Sequence, residues 1–330
     1  MEDHAILNVK NLSTHFFTEN GVVEAVNHVS FSLRKGKTLC IVGESGCGKS
    51  VTAMSIMGLI SSPPGKIVDG EVWFEGKDLI RASKKDMRKI QGNEISMIFQ
   101  EPMTSLNPVL TVGEQIMEPL IEHKLLTKNQ AKKQAVELIK LVGIGRSEEV
   151  FKSYPHQLSG GMQQRIMIAI ALSCNPKLII ADEPTTALDV TIQAQILDLL
   201  KNIKEERNMS MILITHDLGV VAEVADYVVV MYAGKVIEEG TVFEIFKDPK
   251  HPYTKGLLKS KPIINQRNKR LYSIPGQIPN LIGLEPSCYF FERCEHRMDI
   301  CRRKLPENSK VNHDHQVSCW LYDKSEGALS

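Results

Sequence analysis

The stretch that most constrains this chain is Gly43-Glu44-Ser45-Gly46-Cys47-Gly48-Lys49-Ser50. It follows a short apolar, β-rich run, Thr38-Leu39-Cys40-Ile41-Val42, and precedes a segment at 50–59 that reads as a helix. The pattern is G-x-x-x-x-G-K-S set between a buried strand and a helix start. The glycines let the backbone fold into a nest whose N–H groups point inward at phosphate. The new helix adds the positive end of its dipole, with Val51 in its first turn. Lys49 can reach the β- and γ-phosphates of a nucleotide, and the Ser50 hydroxyl can ligate Mg²⁺. An ordinary glycine-rich turn would need neither the lysine nor the flanking strand and helix.

Two more apolar runs end in polar residues. Leu178-Ile179-Ile180-Ala181 leads into Asp182-Glu183, and Met211-Ile212-Leu213-Ile214-Thr215 leads into His216-Asp217. Strands of a phosphate-binding α/β sheet deliver their C-terminal ends to the nucleotide. Asp182 is thus expected to hold Mg²⁺ through water, Glu183 to polarise the attacking water, and His216 to contact the γ-phosphate. Alone, Asp182-Glu183 would be an ordinary acidic junction and His216 a core histidine; the loop at 43–50 shifts both readings.

A chain of 330 residues can hold two domains, or one domain and an appendage, and 42% hydrophobic residues suffice for a full core. The net charge of +1 gives no field that would draw it to nucleic acid or a lipid surface. Its apolar runs are far short of the roughly 20 residues of a membrane-spanning helix. The start, MEDHAILNVK, lacks the basic and apolar regions of a signal peptide, so a reducing compartment is expected, where disulfides are disfavoured.

The kind of ATPase is decided by Leu158-Ser159-Gly160-Gly161-Met162-Gln163-Gln164. Ser159 reads as an N-cap, and Gly160-Gly161 open a helix running to about residue 173. This is a second exposed helix start ready for phosphate, with no second lysine. One chain has no use for two such sites on one nucleotide, whereas two chains arranged head to tail do. The stretch resembles the signature motif of ABC-transporter ATPases, in which the signature of one protomer caps the ATP held by the other. The family's usual glutamine after the glycines is Met162 here, followed by Gln163. Further motifs match in order: Gln100 resembles the Q-loop residue that contacts Mg²⁺, Ala187-Leu188-Asp189 the D-loop, and His216 the switch histidine. Phe16 resembles the aromatic that stacks on adenine, with Phe17 as its competitor.

The resemblance implies an α/β fold: an ABC cassette with a RecA-like core, an antiparallel β subdomain and a helical subdomain. Thr127-Lys128-Asn129-Gln130 reads as a capping box and Gly143 as a helix stop, with Ala131, Ala135, Leu138 and Val142 on one face. The expected divisions are 1–103 for the β subdomain and first part of the core, 104–160 for the helical subdomain, 161–250 for the rest of the core, and 251–330 for a C-terminal extension.

Three longer stretches narrow the family. They are Gln100-Glu101-Pro102-Met103-Thr104-Ser105-Leu106-Asn107-Pro108, His251-Pro252-Tyr253-Thr254-Lys255-Gly256-Leu257-Leu258, and Ile274-Pro275-Gly276-Gln277-Ile278-Pro279. Together they resemble the ATP-binding subunits of dipeptide, oligopeptide and nickel importers, over about residues 5–323. The resemblance implies a peripheral motor on the cytoplasmic face of the membrane. Its implied partners are two permease subunits, an extracytoplasmic binding protein, and a second ATPase that is a copy or a paralogue. A soluble ABC ATPase of DNA repair or translation would carry a coiled-coil insertion or two cassettes, and an exporter would fuse membrane helices. The chain has one phosphate loop, one signature and no sustained heptads. Its one dense basic run, Arg267-Asn268-Lys269-Arg270, reads as a solvated linker, so no nucleic acid is expected.

The tail carries Cys288, Cys294, Cys301 and Cys319, after a connector with Pro262, Pro275, Pro279 and Pro286. Structural zinc favours tighter pairs of cysteines, and these wider spacings suit ligands around a larger body, such as a [4Fe–4S] cube. Zinc and no metal remain alternatives. His296, His313 and His315 lie nearby and could substitute as ligands, but the expectation is that they are plain surface; Cys40 and Cys174 are expected as buried small hydrophobes, and the Cys47 side chain as incidental. A structural cluster is expected to staple a small C-terminal lobe and to leave the phosphate loop unaffected.

Overall fold

The structure, a computed structural model, describes residues 5–186, 188–260 and 272–323. Ala187, Pro262 and the basic run at 267–270 lie outside the described residues. Twelve strands run along the described chain. They are β1 (Ala5–Thr18), β2 (Gly21–Arg34), β3 (Thr38–Val42), β4 (Gly65–Phe74), β5 (Lys77–Asp78), β6 (Ile95–Ile98), β7 (Leu178–Asp182), β8 (Ser210–Ile214), β9 (Tyr227–Tyr232), β10 (Lys235–Thr241), β11 (Ser309–Lys310) and β12 (Gln316–Val317). The chain forms two compact units. Of the described residues, those within 1–33, 38–80 and 214–330 make one unit and those within 34–37 and 81–213 the other.

In the first unit, β2, β1, β4 and β5 form a sheet in that order. Val29, Phe31 and Leu33 are buried between exposed Ser30 and Ser32, the period-2 pattern of a strand with one face on a core. β1 pairs antiparallel with β4 from Leu7↔Phe74, through an irregularity between Lys10 and Thr14, to Phe16↔Gly65. A second set of strands runs β11-β12-β10-β9-β3. All five residues of β3 are buried, and it pairs in parallel with β9 from Leu39↔Tyr227 to Val42↔Val230. A strand covered on both faces reads as a continuous apolar run, which is why Thr38–Val42 does not alternate.

The C-terminal residues join this unit instead of forming a separate lobe. β12 pairs with β10 at Glu238↔Val317 and Glu239↔Gln316, and Ile282 bridges to Val23. Tyr253 and Phe290 are buried against Tyr232, with ring centroids 4.8 and 5.3 Å away. The pieces are short, an eight-residue helix at Pro252–Lys259 and two-residue strands, so they bury apolar surface by using an existing core.

The second unit holds β8, β7 and β6 as neighbours, with β6 and β7 parallel. Its helices include Val112–Lys124, Lys128–Leu141, Ser147–Lys152, Gly160–Leu172 and Val190–Glu206. Thr127 opens Lys128–Leu141, and Gln130 Oε1 accepts its backbone N–H at 3.0 Å, as the capping box predicts. Val142 caps the other end, and Gly143 follows with φ 75°. Ala131, Ala135, Leu138 and Val142 are all buried, so this face packs inward as the spacing requires.

Candidate functional site: a phosphate cradle, a catalytic strand end and an open helix start

The phosphate loop lies in the first unit, between β3 and the helix Lys49–Ile56. Two glycines are there for space. A Cβ on Gly43 (φ 155°) would sit 2.3 Å from the Met231 carbonyl oxygen, and one on Gly48 (φ 101°) 2.3 Å from that of Ala25. No side chain fits such backbone approaches. Ser45 and Gly46 are exposed at the mouth of the loop, while Ser50 and Val51 are half-buried in the first helical turn. Lys49 is 5% exposed, and its Nζ donates to the carbonyls of Gly43 at 2.9 Å and Glu44 at 3.0 Å. The helix begins one residue earlier than the sequence suggests.

The Cys47 side chain is fully buried, burial pushes its thiol up, and the residue's backbone carbonyl accepts the Gly234 N–H at 3.0 Å. Glu44 is held by residues from the far end of the chain. Its N–H donates to the Tyr253 hydroxyl at 2.9 Å. Its two carboxylate oxygens accept from Arg293 Nη1 at 2.9 Å and Nη2 at 3.1 Å. His216, in the same unit, is exposed just after β8, ahead of a helix at Leu218–Val224 that Asp217 caps by accepting the Gly219 N–H. Of the two candidate aromatics, Phe16 is half-buried beside Gly65 and Phe17 is 51% exposed.

The second unit carries the other candidates. Asp182 closes β7 and is 5% exposed. Glu183 follows at φ 45°, a left-handed conformation that non-glycine residues rarely adopt and that clusters at functional sites. Its Oε2 accepts from Thr186 Oγ1 at 2.9 Å and from Gln100 Nε2 at 3.4 Å. The structure therefore brings the Q-loop residue and the candidate catalytic carboxylate together. Thr186, which the sequence reading passed over, joins them.

Ser159 caps the helix Gly160–Leu172, accepting the Met162 N–H at 3.4 Å. Met162 in place of glutamine leaves that start intact. Ser159 and Gly160 are exposed, and a Cβ added to Gly160 would meet nothing within 4 Å. Asp189 is also exposed, at the start of Val190–Glu206.

Comparison with known proteins decides among ATPases. The ABC transporter family matches residues 26–186, and the oligopeptide/dipeptide transporter C-terminal region matches residues 237–301. The chain is 55% identical over 323 residues to the oligopeptide transport ATP-binding protein AppD of Bacillus subtilis, covering 98% of each chain. It is 55% identical over 319 residues to the dipeptide transport ATP-binding protein DppD of the same organism, covering 97% of this chain and 95% of that one. The chain belongs to the oligopeptide and dipeptide transport ATP-binding proteins of the ABC family. Among solved structures it is similar to the dimeric cassette MJ0796 in a post-hydrolysis state bound to ADP and Pi. That similarity has a TM-score of 0.65 at 30% identity and covers 72% of this chain and 98% of that one.

The ABC ATPase's matched C-terminal region includes Cys288, Cys294 and Cys301. These three and Cys319 line one small cavity of about 10 Å³, walled also by Phe290, Phe291 and Trp320. Burial pushes the thiol of Cys288 up to about 12 and that of Cys319 up to about 11. Among the described residues, no group of three or more His, Cys, Asp or Glu is arranged to hold a metal ion. Cys40 and Cys174 are buried, as expected.

His315 is not a surface residue. It is 1% exposed and pairs through Nε2 with Glu238 Oε1 at 2.8 Å. Glu238, itself 1% exposed, also accepts the N–H groups of Lys250 and His251. A carboxylate taken from water needs such partners, and all of them come from residues after 240. Among the described residues, no helix is long and apolar enough to cross a membrane.

Proposed function

We propose that this ATP-binding subunit powers peptide import by closing on a second cassette around two ATP molecules. The observation that carries the reading is the signature helix. Its N-terminus is capped and exposed, yet holds no lysine, which suits a phosphate brought by another chain. The partner cassette is a copy or a paralogue. Both would sit on the cytoplasmic face beneath two permease subunits fed by an extracytoplasmic binding protein. AppD's name supports an oligopeptide cargo and DppD's a dipeptide.

The roles follow from the chemistry of the side chains. Lys49 and the backbone N–H groups at 43–51 neutralise the phosphates. Ser50 in one unit, and Gln100 and Asp182 in the other, are each proposed as an oxygen donor of the type Mg²⁺ takes. Bound there, Mg²⁺ supplies charge neutralisation on the β- and γ-oxygens. Glu183 polarises the attacking water, with Thr186 and Gln100 orienting its carboxylate. His216 contacts the γ-phosphate, and Phe16 or Phe17 stacks on adenine. Ser159, Gly160, Gly161 and Asp189 act on the partner's nucleotide. Glu183→Gln should be monomeric without nucleotide and dimeric with ATP by light scattering, alone or with its paralogue. A monomer under both conditions at saturating ATP would remove the proposal.

For the tail, we propose that Cys288, Cys294, Cys301 and Cys319 hold a [4Fe–4S] cluster. Support comes from the donor set: the four thiols line one cavity with aromatic walls, and since no three of them stand in a ligating arrangement among the described residues, binding would have to draw them together. Protein purified without oxygen should carry about four irons per chain and a band bleached by dithionite. One zinc, or no metal, would overturn the assignment.

A further inference from the structure

The C-terminal segment reaches back to the phosphate loop through one side chain. Arg293, one residue before Cys294, is 7% exposed and grips both carboxylate oxygens of Glu44, 249 positions earlier. The fork-to-fork geometry is the strongest form of a carboxylate contact. The guanidinium is itself fixed. Its Nε donates to the Pro275 carbonyl at 2.8 Å and its Nη1 to the Tyr232 hydroxyl at 3.4 Å, and it lies 5.7 Å from the Tyr232 ring centroid. Pro275 belongs to Ile274-Pro275-Gly276-Gln277-Ile278-Pro279, one of the stretches that carry the resemblance to peptide importers. A Cβ on Gly276 would meet Arg293 Cγ at 3.2 Å, so the glycine makes room for the arginine.

Glu44 is an awkward residue for a loop that wraps a polyphosphate, because its carboxylate repels the ligand. Three groups deal with it. Arg293 takes the carboxylate, the Tyr253 hydroxyl takes the N–H, and Lys49 takes the carbonyl. Lys49 and Glu44 belong to the loop, whereas Tyr253 and Arg293 belong to the extension.

We propose that Arg293 is a positioning residue for ATP binding. It neutralises the Glu44 carboxylate, so that the C-terminal segment sets the affinity of the nucleotide site. The arginine touches no nucleotide in this role and acts through Glu44. It also gives the four-cysteine segment a mechanical route to the loop, so the extension is not an independent staple.

The test is nucleotide affinity and steady-state kinetics on full-length Arg293→Gln, Arg293→Lys, Glu44→Gln and the double variant Glu44→Gln/Arg293→Gln. Arg293→Gln should raise the dissociation constant for a fluorescent ATP analogue about tenfold, with KM rising alongside it and kcat changing much less. Arg293→Lys should recover part of that loss. The double variant should recover most of it, because the unpaired carboxylate is gone. Affinity and KM within about twofold of wild type in folded Arg293→Gln would overturn the proposal. So would a double variant no better than Arg293→Gln, since the arginine would then act only through the Pro275 and Tyr232 contacts. If Arg293→Gln does not fold, Glu44→Gln and Arg293→Lys decide. The proposal expects Glu44→Gln to bind at least as well as Arg293→Lys, and the reverse order refutes it.

Discussion

The glycines at 43–48 and those at 160–161 both precede a helix, but their surroundings differ. Around the first loop, backbone from Ala25 and Met231 approaches so closely that no Cβ fits at Gly48 or Gly43. Lys49, Tyr253 and Arg293 then fix Glu44 at its carbonyl, N–H and carboxylate. Around the second, Gly160 has open space; Ser159 accepts the Met162 N–H at 3.4 Å, and the Gln163 side chain ties the start to the Pro155 and Leu158 carbonyls. A loop that must hold several negative charges is preorganised by its own fold, which lowers the cost of binding. On the proposed function, the second helix start meets its ligand only when another chain brings it, and so needs access more than rigidity.

Substitutions can break this comparison. The largest effect should come from Lys49→Ala, which removes the cation of the preorganised loop. ATP affinity should fall about a hundredfold by equilibrium titration. Ser159→Arg should fill the open start: steady-state turnover should fall roughly tenfold or more, while nucleotide affinity of the single cassette stays within about twofold. A parallel loss of affinity would mean that the second site serves its own chain. Gly48→Ala should lower the melting temperature by roughly 5 °C or more, because its Cβ meets backbone, whereas Gly160→Ala should stay within about 2 °C. Equal shifts would erase the contrast.

The smallest effect tests β10, the strand that the extension covers, with Glu239 opposite Gln316. Burial alone pushes Glu239 on β10 up to about 7, above its ordinary value of 4.5. The folded state therefore holds a proton that the unfolded chain has released between these values. The stability this provides is complete below pH 4.5 and is lost as pH rises through 7. Glu239→Gln should melt a few degrees above wild type at pH 8 and level with it near pH 4.5. A shift of equal size at both pH values would count against the titration.

Local chemistry explains what was legible in the sequence. The phosphate loop, three apolar strands, the box at Thr127 and Gln130 and the cap at Ser159 each rest on residues within a few positions of one another. The Glu44–Arg293 pair spans 249 positions and the Glu238–His315 pair 77. Glutamate, arginine and histidine are ordinarily solvated, so nothing near them in the sequence marks them as buried. From sequence alone the tail reads as a separate lobe for a related reason. Its aliphatic content is too low for a core of its own, and the core it uses belongs to β9 and β10. The closeness of Gln100 to Glu183 was implied by the motifs, but the left-handed backbone at Glu183 has no signal in a glutamate's identity.

The pairing of β12 onto β10 has a practical consequence for anyone trimming the protein. A chain cut after residue 250 to remove the cysteines would also strip the cover from β10, leaving a row of unpaired amide and carbonyl groups beside Glu238, whose partner His315 would be gone. Exposed rims of that sort recruit other chains. The shortened cassette should precipitate or form soluble aggregates even with every nucleotide-contacting residue in place. The extension is thus a guard against self-association as much as a holder of thiols.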